Sequence, residues 1–192
     1  MFKFLVTACL VICLAACSNN ETAKKFNGLK INAAEYADDF ELIDHHGQLR
    51  HLADYQNKFV LIFFGYTHCP DICPSSLMDM ATLMRLLGDD KDKVQVLFIT
   101  LDPARDTQAV LAKFIPSFDA SFIGLYGTET QINQTAKGFK VFFEQQASNG
   151  LSSYTIDHGA GSYLIDQSGK LRFYYRYGQK PDEIANDIKN LM

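Results

Sequence analysis

No cluster of basic residues interrupts this 192-residue chain, and its formal net charge is −4. The electrostatic footprint of a nucleic-acid binder is therefore missing. Internal repeats and low-complexity stretches are also lacking, which leaves a single folded domain as the organisation to expect. Beyond the N-terminus no apolar run is long enough to span a bilayer. Cysteine is scarce and unevenly placed: of five, Cys9, Cys13 and Cys17 lie at the N-terminus, and only Cys69 and Cys73 lie in the body. One pair is too few for a disulfide scaffold. A mature chain of about 175 residues can hold itself together with one apolar core, so the pair reads as functional.

What is present begins with the leader. Met1-Phe2-Lys3 is a short basic start, Phe4 to Leu14 is almost unbroken apolar sequence, and Leu14-Ala15-Ala16-Cys17 follows. The apolar run is too short for a stable span and reads as a signal peptide. The small residues before Cys17 resemble a bacterial lipoprotein box. That resemblance implies removal of residues 1–16, a lipid on Cys17, and a tether over residues 17–37 ahead of a domain at 38–192. The protein is then exported and anchored to a membrane, facing the periplasm or the cell exterior. Ser18 after the lipidated cysteine would favour the outer membrane under the sorting rule of some Gram-negative bacteria. In that compartment Cys69 and Cys73 are oxidised by default unless a reductant or a metal intervenes.

Hydrophobic periodicity orders the rest. Residues 40–44 and 48–52 alternate around His45-His46-Gly47 and predict a hairpin. Val60 to Tyr66 and Val94 to Leu101 are continuous apolar runs of strand length, as expected of strands buried on both faces. From Ser75, the residues Leu77, Met80, Ala81, Met84 and Leu87 mark one helix face ending near Gly88, with Pro74 suited to its first turn. Thr107 to Ile115 predicts a helix stopped by Pro116. Ser121 to Tyr126 predicts a short strand. Thr128-x-x-Gln131 is a capping-box signal for a helix ending near Gly138. Phe139 to Glu144 predicts a strand. Tyr163 to Asp166 and Leu171 to Tyr177 flank Gln167-Ser168-Gly169-Lys170 as a hairpin, and Pro181 opens a last helix. Helices between buried strands argue for a mixed sheet within an α/β fold.

The two thiols stand where the first buried strand ends and a helix is about to begin. The partial positive charge of a helix N-terminus favours thiolate, the form that binds soft metals or attacks disulfides. Strand, thiol pair, helix and closing hairpin resemble a thioredoxin-like fold, here a mixed central sheet flanked by helices with an N-terminal β-hairpin extension. Two features depart from a redox thioredoxin. The spacing is C-x-x-x-C, and Thr155-Ile156-Asp157-His158-Gly159-Ala160-Gly161, ahead of the final hairpin, has no proline. His158 is the residue of that segment able to meet the thiols. Two thiolates and an imidazole make a soft set of low coordination number. Structural zinc wants a fourth ligand, whereas three suffice for copper, especially Cu(I).

At this point the chain resembles the Sco/SenC copper chaperones of cytochrome c oxidase assembly. Phe64-Gly65-Tyr66-Thr67-His68-Cys69-Pro70-Asp71-Ile72-Cys73-Pro74 matches the family's cysteine motif. Leu101-Asp102-Pro103-x-Arg105-Asp106-Thr107 resembles its second signature. Ile156-Asp157-His158 with Tyr163-Leu164-Ile165-Asp166 resembles its third. The resemblance covers roughly residues 38 to 190. It implies that Cys69, Cys73 and His158 bind copper, as Cu(I) or Cu(II). It also implies delivery to the copper A centre of the oxidase, or upkeep of that centre's thiols. Family members are often held by a transmembrane helix, and this leader departs from that pattern. The partners implied are the copper A subunit or another copper or thiol partner, and the chain is expected to be a monomer.

Two other chemistries use the same cysteines. A thiol–disulfide oxidoreductase acting on exported partner cysteines needs only Cys69 and Cys73 as a redox-active pair. Thr67-x-Cys69 faintly resembles the reactive loop of a thiol peroxidase, but Phe64 stands where the proline of such a loop is usual. The remaining candidates read as structure. Met80 and Met84 belong to the apolar helix face, and His68 to local packing. His45 and His46 fall in a hairpin turn and His51 on the surface. Asp157 is expected in solvent, and Asp71 is either a helix cap or a tuner of the thiols.

Overall fold

The computed structural model describes residues 24–37, 39–147 and 154–192. The expected leader with Cys9 and Cys13, and the expected lipidation site Cys17, lie outside the described residues. Among the described residues, ten strands and four α-helices follow in chain order: β1 (Leu29–Lys30), β2 (Leu42–Asp44), β3 (Leu49–Arg50), β4 (Phe59–Gly65), α1 (Ile72–Leu87), β5 (Val94–Thr100), α2 (Gln108–Phe114), β6 (Ile123–Tyr126), α3 (Glu129–Gly138), β7 (Phe143–Gln146), β8 (Thr155–His158), β9 (Ser162–Ile165), β10 (Leu171–Tyr175) and α4 (Pro181–Leu191). Eight strands form one sheet in the order β1-β10-β9-β4-β5-β6-β2-β3, while β7 and β8 form a second, two-stranded sheet. The central pairs β4–β5 and β5–β6 are parallel and the outer ones antiparallel, so the sheet is mixed as expected.

Every residue of β4 and β5 is buried. Successive strand side chains point to opposite faces, so both faces of the sheet are covered there. Helix α1 inserts Leu77, Met80, Ala81, Met84 and Leu87 into the core, the face its periodicity predicts, and stops at Gly88 with φ +61°. It begins at Ile72, earlier than the apolar pattern alone indicates. Proline at the third helical position is tolerated because an N–H there has no partner within the helix. The capping box at Thr128 and Gln131 forms with both reciprocal hydrogen bonds.

The β2–β3 hairpin does not stand apart from the sheet. It extends the far edge through β2 on β6. At the opposite edge the sheet takes up residues expected to be tether: β1 pairs with β10, and the buried carboxylate of Asp187 accepts from the Asn27 and Gly28 amides. The predicted strand over Phe139 to Glu144 is displaced. Phe139 closes α3, Lys140 turns the chain with φ +56°, and pairing starts only at Phe143. Its partner β8 is a strand where the sequence indicates only a connecting segment. Among the described residues no helix is long and apolar enough to cross a membrane.

Candidate metal centre

Strand β4 ends at Gly65, and the chain turns through Tyr66 to Asp71 before α1 begins. The turn is closed by Cys69 N–H donating to the Tyr66 carbonyl at 3.3 Å. Cys69 lies on this turn and is half-buried. Cys73 is fully buried in the first turn of α1, and both cysteines are free thiols. A side chain at position 65 would fill the space occupied by the thiol. A Cβ on Gly65 would stand 2.9 Å from Cys73 Sγ and 3.0 Å from the rings of Phe63 and Phe98. Glycine is needed there for close approach, not for backbone freedom.

His158 is the last residue of β8, paired with Phe143 of β7. Its Nε2 lies 3.5 Å from Cys73 Sγ. The Nδ1 atom faces the Gly159 carbonyl at 3.0 Å and donates to it, so Nε2 keeps its lone pair and accepts from the Cys73 thiol. The rings of Phe63 and Tyr66 present edges or faces to the imidazole at 6.3 and 6.0 Å. Burial lowers the His158 pKa, partly offset by the Gly159 hydrogen bond and the Asp157 charge. The imidazole is therefore neutral at neutral pH, as a metal ligand must be.

The two thiols are not equivalent. Burial pushes the Cys73 thiol far above its ordinary pKa, and the nearby Cys69 sulfur adds to the rise. This corrects the expectation that the helix N-terminus makes both thiols thiolate-prone: for Cys73, desolvation outweighs the helix field. The helix N-terminus instead addresses Cys69. The Cys73 amide donates to Cys69 Sγ at 3.4 Å, so a sulfur takes the capping role that Asp71, at the N-cap, leaves open. Asp71 accepts from the Ser75 hydroxyl.

Thus the structure brings Cys73 and His158 into contact and sets Cys69 against the Cys73 backbone. Among the described residues, no three His, Cys, Asp or Glu side chains are yet close enough together to hold a metal ion. The donor types nonetheless suit a soft cation: two sulfurs, one neutral imidazole and no carboxylate among them. A soft cation held by this set would displace the proton of the buried Cys73 thiol.

Behind the centre lies a layer of residues whose long-range pairing no local sequence signal announces. Arg105 pairs with the Asp102 carboxylate, stacks 3.6 Å over the Tyr154 ring, and donates to the Tyr154 carbonyl at 2.9 Å. The Tyr154 hydroxyl returns to Asp102 at 2.7 Å, which ties the start of β8 to the segment after β5. Asp106, fully buried, accepts from Thr67 and Thr100. These residues fall in or beside the quoted motifs, but their partners are distant in sequence and nothing local announces the pairing.

Several other candidates are part of the core or the surface. Met80 and Met84 are core and Met78 is exposed. His68 is exposed, bonded to Thr67 Oγ1 rather than packed. His45 lies in the predicted turn but is buried, its Nδ1 accepting from the Gly124 amide. Asp157 is exposed.

Residues 29–192 match the SCO1/SenC family model. The chain is 39% identical over 152 residues to an SCO2-like protein of Rickettsia felis, covering 79% of this chain and 74% of that protein. It is 35% identical over 156 residues to the mitochondrial SCO2 homolog of Bos taurus, covering 80% of this chain but only 59% of the bovine protein's length. Its fold is similar to that of Bradyrhizobium japonicum ScoI with copper bound, with a TM-score of 0.74 at 36% identity, covering 80% of this chain and 98% of that one.

Proposed function

The chain belongs to the SCO1/SenC family, and from that premise we propose that it is a copper-binding metallochaperone. It delivers copper to the copper A centre of cytochrome c oxidase or keeps that centre's thiols reduced. Cys69, Cys73 and His158 are the ligands, and copper is cargo rather than a resident cofactor. The observation that carries this reading is the 3.5 Å contact between Cys73 Sγ and His158 Nε2, which aligns a soft sulfur and a neutral imidazole. Similarity to a copper-bound ScoI supports it. Cu(I) displaces the Cys73 proton on entry, and His158 needs to give up none. The protein works as an exported monomer held to a membrane through a lipid on Cys17, a reading supported by the leader sequence.

An anaerobic Cu(I) titration of the reduced protein tests the proposal. Expected are one copper per chain and, by X-ray absorption, two sulfurs and one nitrogen around it. His158→Ala should weaken binding, and Cys69→Ser with Cys73→Ser should abolish it. Unchanged affinity and stoichiometry in both variants would overturn the reading. Thiol–disulfide exchange is favoured by one observation, the partial exposure of Cys69 beside a buried Cys73. That geometry suits an attacking and a resolving thiol. With Cys73→Ser, Cys69 should trap the partner as a mixed disulfide, and the absence of any trapped species removes that reading.

A further inference from the structure

Asp106 has no exposed surface, lies between β5 and α2, and belongs to none of the ligand-bearing elements. Both of its oxygens nevertheless reach Thr67. Oδ2 accepts the Thr67 backbone amide at 3.0 Å and the Thr100 hydroxyl at 2.6 Å, while Oδ1 accepts the Thr67 hydroxyl at 2.5 Å. The backbone and the side chain of Thr67 thus bind the same carboxylate. Thr100, the last residue of β5, is itself fixed because its hydroxyl oxygen accepts the Asp102 amide at 2.9 Å. A buried carboxylate is costly to desolvate and persists only where several donors hold it. Here the donors come from both sides of the gap between β5 and the cysteine turn.

Thr67 occupies the shoulder of the turn that Cys69 N–H closes onto Tyr66. Downstream, Cys69 Sγ is caught by the Cys73 amide. The short segment carrying Cys69 is therefore pinned before and after the cysteine, first by Asp106 and then by the helix start. Among the described residues, nothing else restrains the turn on its Thr67 side with comparable hydrogen bonding. His68, the residue between, is exposed, with Nδ1 3.9 Å from Asp106 Oδ1.

From this geometry we infer that Asp106 is a positioning residue for the metal centre: acting through Thr67, it sets the place of Cys69 Sγ relative to Cys73 and His158. The inference rests on the copper reading above for its consequence, though not for its geometry. It differs from a general stabilising role in predicting a selective effect on one of the two thiols.

The test compares Thr67→Val, Thr67→Ser, Asp106→Ala and the Thr67→Val/Asp106→Ala double variant. Thr67→Val removes one hydroxyl at constant shape and leaves the Thr100 and backbone bonds to Asp106 in place, so it carries the test should Asp106→Ala not fold. In the reduced, metal-free protein, Cys69 alkylation should quicken several-fold in Thr67→Val and return to the wild-type rate in Thr67→Ser, with Cys73 unchanged throughout. Cu(I) affinity, measured against a competing chelator, should fall by about 10- to 100-fold, the usual cost of losing a group that orients a ligand. X-ray absorption should then find fewer than two sulfurs. The double variant should bind no worse than Asp106→Ala alone, since the two residues act in series. Wild-type Cys69 alkylation and Cu(I) affinity in variants that merely melt lower would overturn the inference. If the wild-type protein itself takes up no Cu(I) through sulfur, the copper reading falls, and the metal-free alkylation arm still decides the role of Asp106.

Discussion

Cys73 and His158 face each other across 3.5 Å, yet the regions that bring them there are built on different terms. The cysteine side is the centre of the molecule. It consists of β4, buried along its whole length and paired on both edges, and the 16-residue helix α1 with eight buried residues. The histidine side is a two-stranded ribbon outside the main sheet, in which β8 buries Ile156 and exposes Thr155 and Asp157. Its hold on the body includes the Asp102–Arg105–Tyr154 cluster and the His158 ring itself. A two-stranded hairpin is marginal in isolation, so this ribbon depends on such contacts. The centre thus joins a fixed sulfur to a nitrogen on a lightly held arm, an arrangement suited to taking up and releasing an ion.

The largest expected effect that would test this contrast is in hydrogen exchange. Amides of β4 and β5 should open only with global unfolding, while those of β7 and β8 open locally. A gap of about 4 kcal/mol, or on the order of a thousandfold in protection, is expected. Equal protection in the two regions would break the comparison. Next comes Gly65→Ala, which forces a methyl group into Cys73 Sγ and two phenyl rings. Overpacking of this kind costs about 1–3 kcal/mol, and a rigid cysteine side should express it as lost stability in denaturant unfolding. A neutral outcome would show that the cysteine side yields.

Acid gives the smallest effect and sharpens the comparison from the other direction. Burial alone would raise the pKa of Asp44 in the β2–β3 turn. Hydrogen bonds from the Gln48 amide, the Arg50 side chain and the His46 amide outweigh it and hold the carboxyl below its ordinary value. Asp166, in the β9–β10 turn, is lowered in the same way against burial, by Ser168, Lys170 and Arg172. A depressed carboxyl contributes stability that is present above the ordinary value near 4 and lost as pH falls through the lower folded value. Both turns belong to the main sheet. Acid titration followed by unfolding should therefore show a loss below about pH 4 that Asp44→Asn and Asp166→Asn reduce. An unchanged acid profile in both variants would remove these turns from the account.

Much of the cysteine side is legible in the sequence because its signals are local. Unbroken apolar runs mark β4 and β5, and the 3.6-residue spacing of Leu77, Met80, Met84 and Leu87 marks α1. Thr128 and Gln131 announce α3 before any packing is known. The histidine side carries a weaker signal: the strand predicted over Phe139 to Glu144 overlaps β7 only at Phe143 and Glu144. The Glu144, Gln145 and Gln146 positions of β7 are polar, so their strand character comes from pairing with β8 rather than from an apolar face. His158 can be singled out by its place before the closing hairpin and by resemblance, not by its own surroundings. Asp106 and Thr67, 39 positions apart, and Asn27 and Asp187, 160 apart, form contacts that only the folded chain creates.

The Asp187 contact matters in mechanical terms. Its carboxylate receives the amides of Asn27 and Gly28 and the Asn27 side-chain amide within 3.0 Å, and the Tyr175 hydroxyl at 3.2 Å. Tension arriving along the preceding polar segment meets this cluster before it reaches the two-residue strand β1. The force passes into α4 and, through its packing, into α1. Asp187 works as a strain relief on a cable: a pull applied ahead of Asn27 is spread across two helices instead of peeling the sheet from its edge.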